Sequence, residues 1–127
     1  REVNRRWTEG SYTLKHDGRY YIMYSANYFG GKYYAVGYAT SDNPLGPYEK
    51  AANNPVIQKN DDQGGSVTGT GHCMVLNLAD RYFCVYHART QKTGDERVAF
   101  MDEIHIDKQG MLTVDGPTVT EQIIRFE

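Results

Sequence analysis

A ten-residue phrase is written twice in this chain. It reads Asp17-Gly18-Arg19-Tyr20-Tyr21-Ile22-Met23-Tyr24-Ser25-Ala26 and returns as Ala79-Asp80-Arg81-Tyr82-Phe83-Cys84-Val85-Tyr86-His87-Ala88, a spacing of 62 residues from position 17 to position 79. Arg, two Tyr and Ala recur in place, and Tyr21 is answered by the aromatic Phe83. Such self-similarity marks a repeat architecture, in which one supersecondary unit cannot bury its apolar face alone and stacks on a copy of itself. Two copies are too few to close an array of that kind.

The composition says what the repeated unit is made of. Eleven Tyr and thirteen Gly among 127 residues, with short apolar runs, favour an all-β fold. The length suits one domain with a real core. A formal charge of -2 with both signs interspersed leaves no basic stripe for nucleic acid or an anionic membrane surface. No apolar run approaches the roughly 18 residues of a membrane span. The chain starts at Arg1 rather than Met, so it is expected to begin inside a longer product, and the lack of a leader is silent about location. Cys73 and Cys84 fall on neighbouring predicted strands without zinc spacing, and are read as small buried hydrophobes rather than a disulfide.

Period-2 alternation and turn residues predict strands at Ser11 to His16, Tyr20 to Ala26, Tyr33 to Thr40 and Tyr48 to Lys50. They recur at His72 to Asn77, Tyr82 to Ala88, Arg97 to Ile106 and Leu112 to Val114. Asp17-Gly18 is a hairpin pair, and Asn43-Pro44-Leu45-Gly46-Pro47 cannot lie inside a sheet. No convincing helix appears; the nearest candidate, Glu121 to Glu127, is short and rich in β-branched residues. Four antiparallel strands repeated at roughly 40 to 60 residues fit blades of a β-propeller. The organisation expected is a blade over 8–52, a polar surface connection over 53–70, a second blade over 71–117 and a tail over 118–127. Two blades leave a ring open, so the chain completes it with blades upstream of Arg1 or with other copies of itself.

Several residues carry possible chemistry. Trp7-Thr8-Glu9-Gly10-Ser11-Tyr12 sets a carboxyl just before the first strand, where a propeller blade faces the central channel. Beside Trp7 and Gly10 it suits a proton donor, and it suits a solvated loop acid as well. Val67-Thr68-Gly69-Thr70-Gly71-His72 puts a lone His at the matching start of the next blade, open to a structural role, a metal, a water or a sugar hydroxyl. A phosphate loop is set aside because no Lys follows and a strand comes next. Tyr28, Phe29, Tyr33 and Tyr34 flank Gly30-Gly31, where aromatics either pack between sheets or stack on sugars; Tyr28 is the choice for sugar contact. Asp61-Asp62 lacks the alternating oxygen ligands of a calcium loop and reads as solvated acid. Asp102, inside a predicted strand, needs an ion-pair or backbone partner if buried.

Taken in order, Trp7-Thr8-Glu9-Gly10, Tyr20-Tyr21-Ile22-Met23-Tyr24-Ser25, Tyr38-Ala39-Thr40-Ser41-Asp42-Asn43-Pro44-Leu45-Gly46-Pro47-Tyr48 and Gly69-Thr70-Gly71-His72 closely resemble glycoside hydrolase family 43. The likeness runs on through Tyr86-His87-Ala88-Arg89 and Arg97-Val98-Ala99-Phe100-Met101-Asp102. It implies two blades of a five-bladed propeller that hydrolyses O-glycosidic bonds of arabinan- or xylan-type plant polysaccharides, with inversion. It also implies secretion or a periplasmic location. By the resemblance Glu9 is the general acid. His72 lies at the channel centre near a water or a metal such as calcium, and Arg97 reaches the substrate with Arg89 beside it. Ser11 stands where family members often have Pro. The Asp base and the tuning Asp belong to earlier blades, so Asp17, Asp42, Asp80 and Asp107 are not candidates, and the chain alone is expected to be inactive. The rivals are a non-catalytic sugar-binding propeller and a two-blade protein that closes its ring from several copies.

Overall fold

The computed structural model describes residues 7–60 and 66–125. Its strands form two four-stranded antiparallel sheets with simple up-and-down order. The first is β1 (Thr8–His16), β2 (Arg19–Ala26), β3 (Ala35–Ser41) and β4 (Glu49–Lys50). The second is β5 (Val67–Leu78), β6 (Arg81–Thr90), β7 (Val98–Ile106) and β8 (Leu112–Val114). These are two blades of a β-propeller. The first hairpin turns at Asp17 and Gly18, with φ of 50° and 77°; the second turns at Ala79 and Asp80, with φ of 49° and 61°. Both pairs adopt the left-handed conformation that lets a two-residue turn follow the strand twist. The repeat read in the sequence is therefore a repeat of backbone shape.

The innermost strands also match. β1 is bulged between Glu9 and Tyr12, and β5 between Gly71 and Met74, the same two positions one repeat later. β5 carries a second bulge between Thr68 and Gly71. This corrects the expected boundaries. β5 begins at Val67, so the connection is shorter than 53–70 and His72 sits well inside the strand rather than at its start. Bulges break period-2 alternation, which is why the first half of β5 does not read as strand. Likewise β3 starts at Ala35, leaving Tyr33 and Tyr34 before it, and β7 starts at Val98, leaving Arg97 before it. Residues 121–125 have no helix.

The blades pack face to face, with β5 against β1, β2 and β3. Leu14, Tyr21, Met23, Val36 and Tyr38 of the first meet Cys73, Val75, Cys84, Tyr86 and Ala88 of the second. Each large side chain buried this way is worth roughly 1.5–3 kcal/mol. The two cysteines are free thiols in this core. The connection does not run wholly over the surface: Ile57 is buried and bridges Val36, and buried Asn60 accepts the Val67 N–H at 2.7 Å. Two adjacent apolar residues, Val56 and Ile57, in a polar stretch have no periodicity to reveal them. Tyr38 Oη donates to Asn53 Oδ1 at 2.8 Å and accepts from Leu112 N at 3.0 Å, locking connection and blades together. Asp61 and Asp62 lie outside the described residues.

Among the described residues, one face of the first blade is only half-covered. Cys84, Tyr86 and Ala88 are sealed against the first blade, at 0%, 2% and 0% exposure. Their counterparts one repeat earlier, Ile22, Tyr24 and Ala26, are only half-buried, and Tyr24 and Ala26 line a hollow of about 280 Å³. Asp102 on β7 is fully buried and accepts from Tyr86 Oη at 2.5 Å and from Thr118 N at 3.2 Å, which ties the tail to the second blade. Of the two partners expected for it, the structure supplies the backbone donor.

Candidate active site

Glu9 stands at the bulge of β1. Gly10 follows with φ of +59°, a conformation in which a side chain is strained, and a Cβ there would lie 3.1 Å from His72 Cγ. The Glu-Gly pair thus lets the acid turn inward while the backbone closes on the imidazole of the next blade. His72 also has positive φ, 55°, and its backbone N–H donates to the buried Ser25 Oγ at 2.6 Å. A non-Gly residue held there costs on the order of 1 kcal/mol, and such strain clusters at functional sites. The glycines of the Gly69-Thr70-Gly71 phrase have matching reasons. A Cβ on Gly69 would meet the Arg89 guanidinium at 2.6 Å, and one on Gly71 would strike the Tyr34 ring at 2.0 Å.

Tyr34 links these parts. Its ring is fully buried and its hydroxyl donates to Glu9 Oε1 at 2.8 Å. It stacks on His87 at 5.9 Å between ring centroids, and His87 stacks on His72 at 6.4 Å. Burial first, and then the neighbouring Glu9 carboxylate, push the Tyr34 phenol up to about 12, against an opposing hydrogen bond from Ser25. His87 is pulled the other way. Burial first, then the charges of Arg97, Arg89 and His72, hold its pKa below the usual histidine range, with Glu9 acting against them. Its Nδ1 is buried without a partner among the described residues.

The expected site residues fall as follows. Gly10, next to Glu9, closes on His72, His87 stacks on His72, and Arg97 acts on His87 through its charge. Arg97 is exposed. Arg89 donates to the carbonyls of Phe29 at 3.1 Å and Asp95 at 3.2 Å, so it braces the aromatic loop. Tyr28 sits edge-on to Trp7 at 6.0 Å and beside Phe29 at 5.0 Å, forming a half-exposed aromatic cluster on the rim. Trp7, 46% exposed, belongs to that cluster, and the group in contact with the Glu9 carboxyl is Tyr34. Asp17 follows the far end of β1 from Glu9, roughly 25 Å along an extended strand. Asp42 pairs with Arg19 at 3.9 Å, and Asp107 caps its own turn through Gln109 N and Met111 N. Among the described residues no three His, Cys, Asp or Glu side chains converge as a metal cage, so His72 offers a single nitrogen where calcium wants six to eight oxygens.

Tyr34, Ser25 and His87 were not singled out by sequence reasoning. The signal for two of them was present: Ser25 and His87 occupy the same place in the repeated phrase, one repeat apart. Tyr34 has no such marker, since it stands among four aromatics in a loop.

Known proteins fit this architecture. The family model for glycosyl hydrolases family 43 matches residues 1–112, and the chain belongs to that family. It is 35% identical over 107 residues to a β-D-galactofuranosidase of Aspergillus niger, covering 82% of this chain and 30% of that protein. It is 36% identical over 87 residues to an arabinoxylan arabinofuranohydrolase of Paenibacillus polymyxa, covering 65% of this chain and 13% of the relative. Among solved structures, a thermostable family-43 glycoside hydrolase superposes with a TM-score of 0.82 at 38% identity, covering 93% of this chain and 38% of the other. An endo-1,4-β-xylanase of Bacteroides thetaiotaomicron gives 0.79 at 35% identity, covering 91% and 40%. The chain therefore spans well under half the length of these relatives.

Proposed function

We propose that this chain supplies the proton-donor half of a glycosidase active site, acting on O-glycosidic bonds of arabinan- or xylan-type plant polysaccharides. The observation that carries the reading is the Glu9 carboxyl, held at the β1 bulge by the Tyr34 hydroxyl while the adjacent Gly10 closes on His72. The relatives named above for furanosides and xylan support the substrate class. Glu9 gives its proton to the departing glycosidic oxygen as the C–O bond breaks. A water attacks the anomeric carbon from the opposite face and loses its proton to a carboxylate on an upstream blade. Inversion needs those two carboxyls roughly 6.5–9.5 Å apart. Arg97 and Tyr28, with Arg89 bracing the loop, contact the sugar, and His72 holds a water at the channel centre.

The half-buried face of Ile22, Tyr24 and Ala26 supports the rest of the reading, because the equivalent face of the second blade is sealed by a neighbouring blade. An upstream blade of a five-bladed ring seats there, and the chain by itself is inactive. The test is Glu9→Gln in the full-length propeller. Turnover of substrates with poor leaving groups should fall on the order of 100- to 10,000-fold, the usual range for a general acid. Turnover that persists unchanged would remove Glu9 from the donor role, and a full-length propeller that shows no turnover yet binds sugar equally well with Glu9 or Gln at this position would favour the non-catalytic sugar-binding module instead.

A further inference from the structure

The hydrogen bond from Tyr34 to Glu9 does more than fill space. Among the described residues the Glu9 carboxyl takes one hydrogen bond, from Tyr34 Oη to Oε1 at 2.8 Å. With Oε1 engaged as an acceptor, Oε2 is the oxygen left to carry the acid proton. Tyr34 cannot swing aside. Its ring fills the volume that a side chain at position 71 would need, lies against His87 at 5.9 Å, and its own carbonyl accepts from Thr70 Oγ1 at 3.2 Å. Burial holds the phenol protonated up to about 12, so it remains a donor over the whole range in which a carboxylic acid works. The opposite end of the cluster is fixed too, because the buried Ser25 Oγ accepts the His72 N–H at 2.6 Å.

We propose that Tyr34 is a positioning residue for proton transfer: its O–H pins Oε1 of Glu9, keeps the transferable proton on Oε2, and stabilises the carboxylate as that proton leaves. The last effect follows from charge. A hydrogen bond to a neutral acid becomes one to an anion during transfer, and charge-assisted bonds are roughly twice as strong. Tyr34 therefore contributes more in the transition state than in the ground state, and its loss lowers kcat more than it raises KM. This inference rests on Glu9 being the proton donor.

The experiment compares Tyr34→Phe and Glu9→Gln in the full-length propeller on two glycosides of the same sugar. One has a poor alkyl or sugar leaving group, and the other a dinitrophenyl group that departs with little protonation. Tyr34→Phe should lower kcat on the poor leaving group about 10-fold, the scale of one hydrogen bond to a charged group, with a much smaller change on the dinitrophenyl glycoside and in KM. Equal losses on both substrates, or none, would overturn the role of Tyr34. If Glu9→Gln shows the leaving-group split and Tyr34→Phe does not, only this inference falls; if Glu9→Gln shows no split, the donor assignment itself falls. Should Tyr34→Phe not fold, 3-fluorotyrosine introduced at position 34 keeps the shape and is a stronger donor. It should raise the ratio of poor- to good-leaving-group rates, and an unchanged ratio would refute the proposal.

Discussion

The two bulges of the innermost strands have the same backbone and opposite contents. At the bulge of β1 the sequence is Glu9-Gly10, with Gly10 at φ +59°. At the bulge of β5 it is Gly71-His72, with His72 at φ 55°. Ionisable side chain and glycine have exchanged places between the copies. Each glycine sits where a side chain of the other blade needs room: Gly10 against His72, and Gly71 under the Tyr34 ring that holds Glu9. The bulge is thus an element of the repeat, and the residues placed on it are what distinguishes the two copies. The same holds on the second strands, where Ser25 and His87 occupy one repeat position and converge on the same cluster.

The sharpest way to break this exchange is Gly71→Ala. The added methyl would lie 2.0 Å from the Tyr34 ring, with Glu9 hydrogen-bonded behind it, so the ring must move. A loss of about 3 kcal/mol in denaturant unfolding is expected, the upper end for overpacking. A change below about 0.5 kcal/mol would show that Tyr34 is not held as described. Next comes His72→Gly, which gives the β5 bulge the residue type found in β1. Relief of the left-handed strain should stabilise the fold by about 1 kcal/mol while impairing turnover of the full-length protein. Net destabilisation would mean that the imidazole's packing outweighs its backbone cost.

The smallest effect concerns His87, for which the other copy has Ser25. Burial and the arginine charges make His87 take a proton less readily in the folded protein than in the unfolded chain, where the pKa is about 6.5. The unfolded state thus binds more protons as the pH drops. The stability that depends on a neutral His87 is complete above about pH 6.5 and is lost progressively below it. Urea midpoints at pH 7.5 and pH 5.5 should show this decline, and His87→Gln should flatten it. A slope unchanged in that variant would assign the acid sensitivity to other groups.

Much of the fold was legible because it repeats. The hairpin at Asp17-Gly18, the tyrosine-rich second strands and the eight-strand plan follow from local chemistry and a repeated phrase, while the left-handed turn at Ala79-Asp80 follows from its place in the repeat rather than from its residue types. What escaped was whatever breaks a period. The bulges of β5 interrupt alternation over its first residues, and the apolar pair Val56-Ile57 is too short to mark a buried bridge in a polar connection. Within the site, Glu9 and His72 were found through motifs, whereas Tyr34 was grouped with its aromatic neighbours and Arg89 was read as a sugar ligand without sight of the Phe29 and Asp95 carbonyls it engages.

The amino-acid order by itself determined the blade: strand alternation, left-handed turn residues and a repeated phrase are local instructions that each segment carries independently of its surroundings. Only tertiary packing decided the site. The contact of Tyr34 with Glu9, the closing of Gly10 on His72 and the stacking of His87 between them join residues far apart in the chain, and their geometry exists only once one sheet lies on the other.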